Sequence, residues 1–337
     1  MIKVFSSYIT RRDMDLVLSR MVEDAVAPGE FNQRFIREAK ERYQFEHAIA
    51  LRSPYLALLK ALKPCGLQQG ATVAISALAP AWHRVAVEDA GYEPAVLDVE
   101  DSTFHPNLES IAKSGAQAIV LFDALGLLPP HELMKNLQIP AIEDITQAFG
   151  ARQEERLPGT GSNFSIWGFE EDAPLATGGG ALLCTRSRRD ASVLRNLELS
   201  IPDELKMTDY NAALGVSQMR SAVLMLERRR SVMHMFRTQL ARTRHGTAGI
   251  FEPEDSAVYA FPVMIEGSMK EVSEYAKKHG VQTLPAFLHS PALEDDNADI
   301  LYPSARSIAL RCLLFPMHHK MTNQQADQVG KVLATLP

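Results

Sequence analysis

The order of elements predicts an α/β protein. A large, mostly parallel sheet covered by helices is followed by a smaller C-terminal α+β domain. Three observations lead there. Short apolar runs alternate with helical patterns from His47 to Ile142, which is the signature of parallel strands buried on both faces. A long helical pattern covers Met207 to Leu240, and from about Thr243 the pattern changes character. At 337 residues the chain has room for roughly two domains of ordinary size. We therefore expect residues 1–242, including the connecting helix 207–240, as the large domain and residues 243–337 as the small one.

The elements follow in order. Asp13 to Ala25 carries Met14, Val17, Leu18, Met21 and Val22 at helical spacing, and Ala27-Pro28-Gly29 ends it. A second amphipathic helix runs from about Phe31 to Tyr43. His47 to Leu51 reads as an apolar strand, broken by Ser53-Pro54, with a helix after it to about Leu62. Thr72 to Ser76 is a strand, Ala81 to Ala90 a helix ending at Gly91, and Pro94 to Val99 a strand. Asn107 to Ser114 is a helix, Ala116 to Asp123 a strand, His131 to Leu137 a helix and Pro140 to Ile142 a short buried strand. The glycine turn Gly178-Gly179-Gly180 leads into a strand from Ala181 to Cys184. The small domain reads as a strand from Ala257 to Ile265, a helix from Met269 to His279, a loop rich in Pro, Ala and His, and a helix from Asn323 to about Leu336. In parallel sheets chemistry sits at the C-terminal strand ends. Arg52-Ser53, Asp123 and Glu143-Asp144 stand at such ends and are candidates for one crevice.

Composition narrows the function classes. Hydrophobic residues make up 46% and charged residues 23%, an ordinary globular balance, and the formal charge is -6. No cationic surplus exists to grip a phosphate backbone, so nucleic acid is not expected as a partner. Cys65, Cys184 and Cys312 lie far apart, with neither metal-ligand nor disulfide spacing, which suits a reducing cytoplasm. Ten histidines include one adjacent pair, His318-His319, and no HExxH pattern, so no metal is expected. Met1 to Arg12 has no long apolar core, and no run reaches the ~18–20 residues that span a bilayer, so neither a signal peptide nor a membrane partner is expected.

Three motifs in order carry a resemblance. Glu143-Asp144-Ile145-Thr146-Gln147-Ala148-Phe149-Gly150-Ala151 is similar to an E-D-x-A-[QH]-A-x-G-A stretch. Met207-Thr208-Asp209 with Ala212-Ala213-Leu214-Gly215 and Gln218 follows, and then Phe315-Pro316-Met317-His318 with Met321-Thr322. Together they resemble the DegT/StrS family of nucleotide-sugar aminotransferases over nearly the whole chain. The resemblance implies the fold-type-I architecture of pyridoxal phosphate (PLP) transferases and a cytoplasmic homodimer. It also implies a place in nucleotide-sugar or surface-polysaccharide metabolism. In such a site an aspartate faces the pyridine nitrogen, a helix N-terminus holds the phosphate, and a lysine forms the Schiff base.

By that resemblance Asp144 is the pyridine partner and Gln147 the partner of the ring oxygen. Ser53, Tyr55 and Gly168 fall at the phosphate, and Trp82 stands near the stacking position, for which Pro80 is the register match. Asp123, Lys206 and Phe287 are assigned to substrate. The departures are as informative as the matches. The family's S-G-T is Ser53-Pro54-Tyr55 here, and proline has no N–H to offer a phosphate. Pro54 is also a good first residue for a helix. The family's phosphate-binding serine is Gly168. The lysine position falls on Asp172, or on Ala173 with a one-residue gap, and the chain has no lysine between Lys135 and Lys206. Glu170, Glu171 and Asp172 put carboxylates where the family has an ammonium. Two unit charges 4 Å apart near a surface interact by about 4 kcal/mol at an effective dielectric of 20.

Two functions follow. The first is a degenerate member, with the fold kept and aminotransfer lost, that binds a nucleotide sugar or serves as a regulatory or structural subunit. Its cofactor is PLP or pyridoxamine phosphate (PMP) without covalent attachment, or none. The second is an active PLP- or PMP-dependent aminotransferase or dehydratase with a non-standard site. Lys206 is read as the substitute for a basic residue that relatives carry near their site. Arg228-Arg229-Arg230 on the long helix is expected to be a solvated face.

Overall fold

The computed structural model describes every residue except 8, 26, 154 and 249–258. Among the described residues the large sheet has seven strands: β1 His47–Leu51, β2 Thr72–Ser76, β3 Glu93–Leu97, β4 Ala118–Phe122, β5 Ala141–Asp144, β6 Phe164–Gly168 and β7 Ala181–Thr185. Their order is β1-β7-β6-β5-β4-β2-β3. β3, β2, β4, β5 and β6 run parallel, while β7 is antiparallel to both β6 and β1. The reason is the connection. No helix lies between β6 and β7, so the chain returns antiparallel, whereas a parallel partner needs a long crossover. β6 is a strand that the sequence reading did not separate from the motif around it. Strand β1 points the same way as β6, so the segments after β1, β2, β4, β5 and β6 all open on one edge.

Among the described residues eight α-helices accompany this sheet: α1 Arg11–Val22, α2 Glu30–Tyr43, α3 Pro54–Leu62, α4 Trp82–Asp89, α5 Leu108–Lys113, α6 His131–Asn136, α7 Arg188–Glu198 and α8 Asp209–Leu240. On one face Phe35, Trp167, Phe169, Ala213 and Val216 form a core between α2, α8 and the sheet. On the other, Leu58, Leu62, Ile75, Val120, Ile166 and Leu183 pack under α3 and α4. Complete burial of each such Leu, Ile or Phe contributes about 1.5–3 kcal/mol.

The long helix joins the two units physically. Its first turns belong to the large core, and Val232, Met233, Phe236 and Leu240, at helical spacing, enter the core of the small sheet. That sheet holds β8 Gly246–Thr247, β9 Phe261–Met264, β10 Leu284–Pro285 and β11 Cys312–Phe315, in the order β10-β11-β9-β8. It is antiparallel throughout. The helices are α9 Met269–Lys278, the short α10 Pro291–Glu294, α11 Ala298–Leu301 and α12 Pro303–Ala309, and α13 Asn323–Leu333. The strand expected from Ala257 begins at Phe261, and residues 257–258 lie outside the described set. No helix among the described residues is long and apolar enough to cross a membrane.

The arginine run corrects an expectation. Arg229 is 4% exposed, and its Nη1 donates to the carbonyls of Tyr259 at 3.1 Å and Met317 at 3.2 Å. Arg228 donates to Met321 O and Asn323 Oδ1, and Arg230 to Gly150 O. Three successive helical residues point in different directions, and here each direction meets a different segment of backbone. The run ties α8 to both units instead of facing solvent.

Candidate functional site

The site grows from the turn after β5. Asp144 ends the strand and is 1% exposed. Its Oδ1 accepts from Thr146 N at 3.0 Å, an aspartate turn of the usual kind, and its Oδ2 lies 2.9 Å from His83 Nε2. His83, on the first turn of α4, is fully buried with Trp82 packed edge-on to its ring at 4.2 Å. Both Asp144 oxygens therefore have partners within the protein.

Asp123 follows β4, and its N–H donates to Asp144 O at 3.0 Å. Its carboxyl is fully buried and meets that of Glu143, whose Oε1 accepts from Gly159 N at 2.6 Å. Burial first, and then the neighbouring Glu143 charge, pushes the Asp123 carboxyl well above the usual carboxylate range. Burial likewise raises Glu143. Two buried carboxyls in contact cannot both ionise. Asp123 keeps the proton and donates it to Glu143.

Gln147 accepts from Leu125 N at 2.7 Å through Oε1, and its side chain lies beside the Tyr259 hydroxyl. Leu125 has a φ of 56°, a left-handed conformation uncommon for a non-glycine residue, so this turn is held against its preference. Tyr259 comes from the small unit just before β9. It is 5% exposed, and its hydroxyl donates to Asp172 Oδ2 at 2.8 Å. Burial, and then the Asp172 charge, raises the hydroxyl well above a normal tyrosine.

Asp172 sits on the loop between β6 and β7. This loop is pinned to α8. Gln218 holds both polar groups of the Ala176 backbone, at 3.0 and 2.7 Å, and Asn211 donates to Thr177 O at 2.7 Å. At its end Gly180 has a φ of 118°, and a Cβ there would meet the Met207 side chain at 2.4 Å, so only glycine serves. The neighbour of Asp172, Ala173, is buried at 5% exposure. Of the acids before it, Glu170 is pushed up by burial.

The expected phosphate position is packed with protein. Gly168 ends β6, and its N–H donates to Thr146 Oγ1 at 2.9 Å. A Cβ on Gly168 would lie 2.8 Å from Pro54 Cγ and 3.0 Å from Thr146 Oγ1. Ser53 caps α3 by accepting from Leu56 N at 3.2 Å, and Pro54 takes the first helical position.

The structure thus brings Asp144, Gln147, Asp172, Asp123 and Gly168 to one edge of the sheet, with Ser53 beside them through Pro54. Trp82 reaches the group through His83. Tyr55 turns away and donates to Asp89 on α4. Lys206 pairs with Asp203 at 2.8 Å. Phe287 is buried against Phe104, ring centroids 6.2 Å apart, in the core under the small unit. His83, Thr146 and Tyr259 are the members that sequence reading missed. Cavities of about 190 to 570 Å³ open elsewhere on the molecule, and Asp144, Gln147 and Asp172 line none of these.

Comparison with known proteins places this arrangement. The chain is 23% identical over 323 residues to the dTDP-4-dehydro-2,3,6-trideoxy-D-glucose 4-aminotransferase of Saccharopolyspora spinosa, covering 85% of this chain and 83% of that one. It is 22% identical to the GDP-perosamine synthase of Escherichia coli O157:H7 over 231 residues, 63% of this chain and 64% of that protein's length. The fold superposes on the Streptococcus pneumoniae protein Spr1654 in its PMP form with a TM-score of 0.89, at 15% identity, over 98% of this chain and 96% of that one. The model of the DegT/DnrJ/EryC1/StrS aminotransferase family matches residues 8–334. With that match over its length, and the motif residues gathered at one sheet edge, the chain belongs to the DegT/DnrJ/EryC1/StrS aminotransferase family.

Proposed function

We propose that the protein keeps the family's fold in nucleotide-sugar or surface-polysaccharide metabolism but does not carry out PLP-dependent aminotransfer. On this reading it binds a nucleotide sugar or serves as a regulatory or structural subunit. The observation that carries it is the Asp172–Tyr259 hydrogen bond, at 2.8 Å, where the family pattern requires a lysine. A carboxylate satisfied by a buried phenol has neither the nitrogen for an imine nor a reason to leave its place.

The residues present do not fit a covalently held PLP. Pro54 supplies no amide donor, and its ring fills the space into which a serine at position 168 would reach. Lys206 is engaged with Asp203. The second reading, an active PLP- or PMP-dependent aminotransferase or dehydratase with a non-standard site, is supported by Asp144 and Gln147, which stand together at the end of β5 and in the turn after it.

The protein is further proposed to act in the cytoplasm as a homodimer. All three cysteines are free, which suits a reducing compartment. Ile9, Met14 and Leu18 near and on α1, with Tyr210 on α8, are exposed around a cavity of about 570 Å³, an apolar surface that a second copy would cover.

The test is to offer PLP, glutamate and GDP- or dTDP-linked 4-keto sugars together. The expected outcome is binding of a nucleotide sugar in calorimetry without an amino-sugar product in mass spectrometry. Accumulation of an amino sugar overturns the proposal.

A further inference from the structure

A cavity of about 190 Å³ lies behind the turn that follows β5, lined by Ile145 and Ala148 of that turn, Trp167 of β6, Tyr43 at the end of α2, and Leu226 and Arg230 of α8. Successive strand residues face opposite sides of a sheet, so Trp167 points away from the side on which Gly168 meets Pro54. One wall is aromatic. Trp167 and Phe149 lie 5.5 Å apart between centroids with 22° between their planes. Tyr43 meets Trp167 edge-on at 4.8 Å and Phe149 at 5.8 Å. The volume exceeds the ~150 Å³ apolar cavity that admits one benzene molecule. It falls below the roughly 300–1,000 Å³ usual for larger organic ligands. One ring fits, and a nucleotide sugar does not.

Arginines stand among the apolar residues of the remaining walls. Arg152, Arg186 and Arg230 line the cavity, and none of its lining residues is acidic. Arg186 Nε donates to Pro158 O at 2.9 Å and Nη1 to Tyr43 O, with the guanidinium 4.4 Å above the Phe45 ring. Arg230 Nη2 donates to Gly150 O at 2.7 Å, while its Nε–H is buried with no acceptor. The Gly150 turn that offers this carbonyl has a φ of 80°, and a Cβ there would strike Leu226 at 2.5 Å. Carbonyls of this kind orient a guanidinium without neutralising it. Among the described residues Arg186 and Arg230 form no ion pair with a carboxylate, although the charge of Glu143 is felt at Arg186, and Arg152 reaches Glu155 only at 3.9 Å. Burial already depresses the affinity of Arg186 for its proton. A half-buried cation whose fork is not taken up by a carboxylate is costly, and a guanidinium fork matches the geometry of carboxylate and phosphate.

We propose that this cavity binds a one-ring aromatic anion, with the ring against Trp167 and Phe149 and a carboxylate or phosphate on Arg230 and Arg186. The proposal does not rest on the reading of Asp144 and Gln147, whose neighbours Ile145 and Ala148 the cavity shares.

Trp167 supplies the readout, since the chain has two tryptophans and a Trp82→Phe background isolates it. Benzoate and phenyl phosphate are expected to quench its emission saturably. Benzyl alcohol and inorganic phosphate are expected to bind at least about tenfold more weakly, as befits the loss of a charge-assisted contact or of the ring. Arg230→Leu is expected to weaken both aromatic anions by about tenfold and leave benzyl alcohol unchanged. Leu226→Phe, which fills the cavity, is expected to abolish all binding. If the tryptophan variant does not fold, ligand-observed NMR on the unaltered protein makes the same four-probe comparison. The proposal is overturned if neither aromatic anion binds saturably, if benzyl alcohol or inorganic phosphate binds as tightly, or if Leu226→Phe binds as before.

Discussion

At the residue scale, Gly168 and Pro54 act as a pair. The two are sterically complementary because a Cβ at 168 would lie 2.8 Å from the proline ring. Gly168→Ser alone is therefore expected to destabilise by about 1–3 kcal/mol through overpacking. Pro54→Gly in the same chain should recover part of that loss, giving a non-additive double-mutant cycle in urea titrations. Simple additivity would show that the two residues do not share the space. The Asp123–Glu143 pair supports a second expectation. The Asp123 carboxyl keeps its proton when folded but loses it when unfolded above the ordinary carboxylate range, so the pair lowers stability as pH rises from about 4 towards 7. Asp123→Asn donates the same hydrogen bond without a bound proton. Its melting temperature should exceed that of the parent by a margin that widens with pH, and a margin constant across that window would contradict the shared proton.

At the element scale, the start of α8 also serves as the start of α2. Asp209, 1% exposed, accepts from Gly29 N at 2.8 Å, Phe31 N at 3.1 Å and Asn32 N at 2.8 Å, capping a helix that lies far behind it in sequence. Asn32 returns a bond to Met207 O at 2.7 Å. Asp209→Ala strips three donors at once and is expected to cost about 2–4 kcal/mol, more than an ordinary exposed cap. The check is the denaturation midpoint, with Asp209→Asn recovering part of the loss. The motif Met207-Thr208-Asp209 was visible in the sequence, but its task was not, because a cap supplied from a distant segment leaves no local pattern. Gln218 is a similar case, a motif residue whose work is to hold the Ala176 backbone.

At the scale of the whole molecule, the strands β1, β2 and β4 were legible because apolar runs bounded by Pro, Gly and polar residues can hardly be anything else. β6 was not, because its five residues read equally well as part of a motif, and the antiparallel return of β7 follows from a missing helix that composition does not signal. The closeness of Asp144, Gln147 and Asp172 at one sheet edge was legible from motif order. Their partners were not: His83 lies 61 residues from Asp144 and Tyr259 lies 87 residues from Asp172, and only the fold brings them together. Tyr259 enters from the segment before β9, so Asp172, the position we propose has lost its lysine, is closed by a residue from the far side of α8 in the chain. The central claim concerns that position. The most direct measurement is to titrate the protein with PLP, record the visible imine band, reduce with borohydride and locate the label by peptide mass. The account predicts no one-to-one label at any single lysine. A stoichiometric band trapped at one lysine, Lys206 above all, would contradict it.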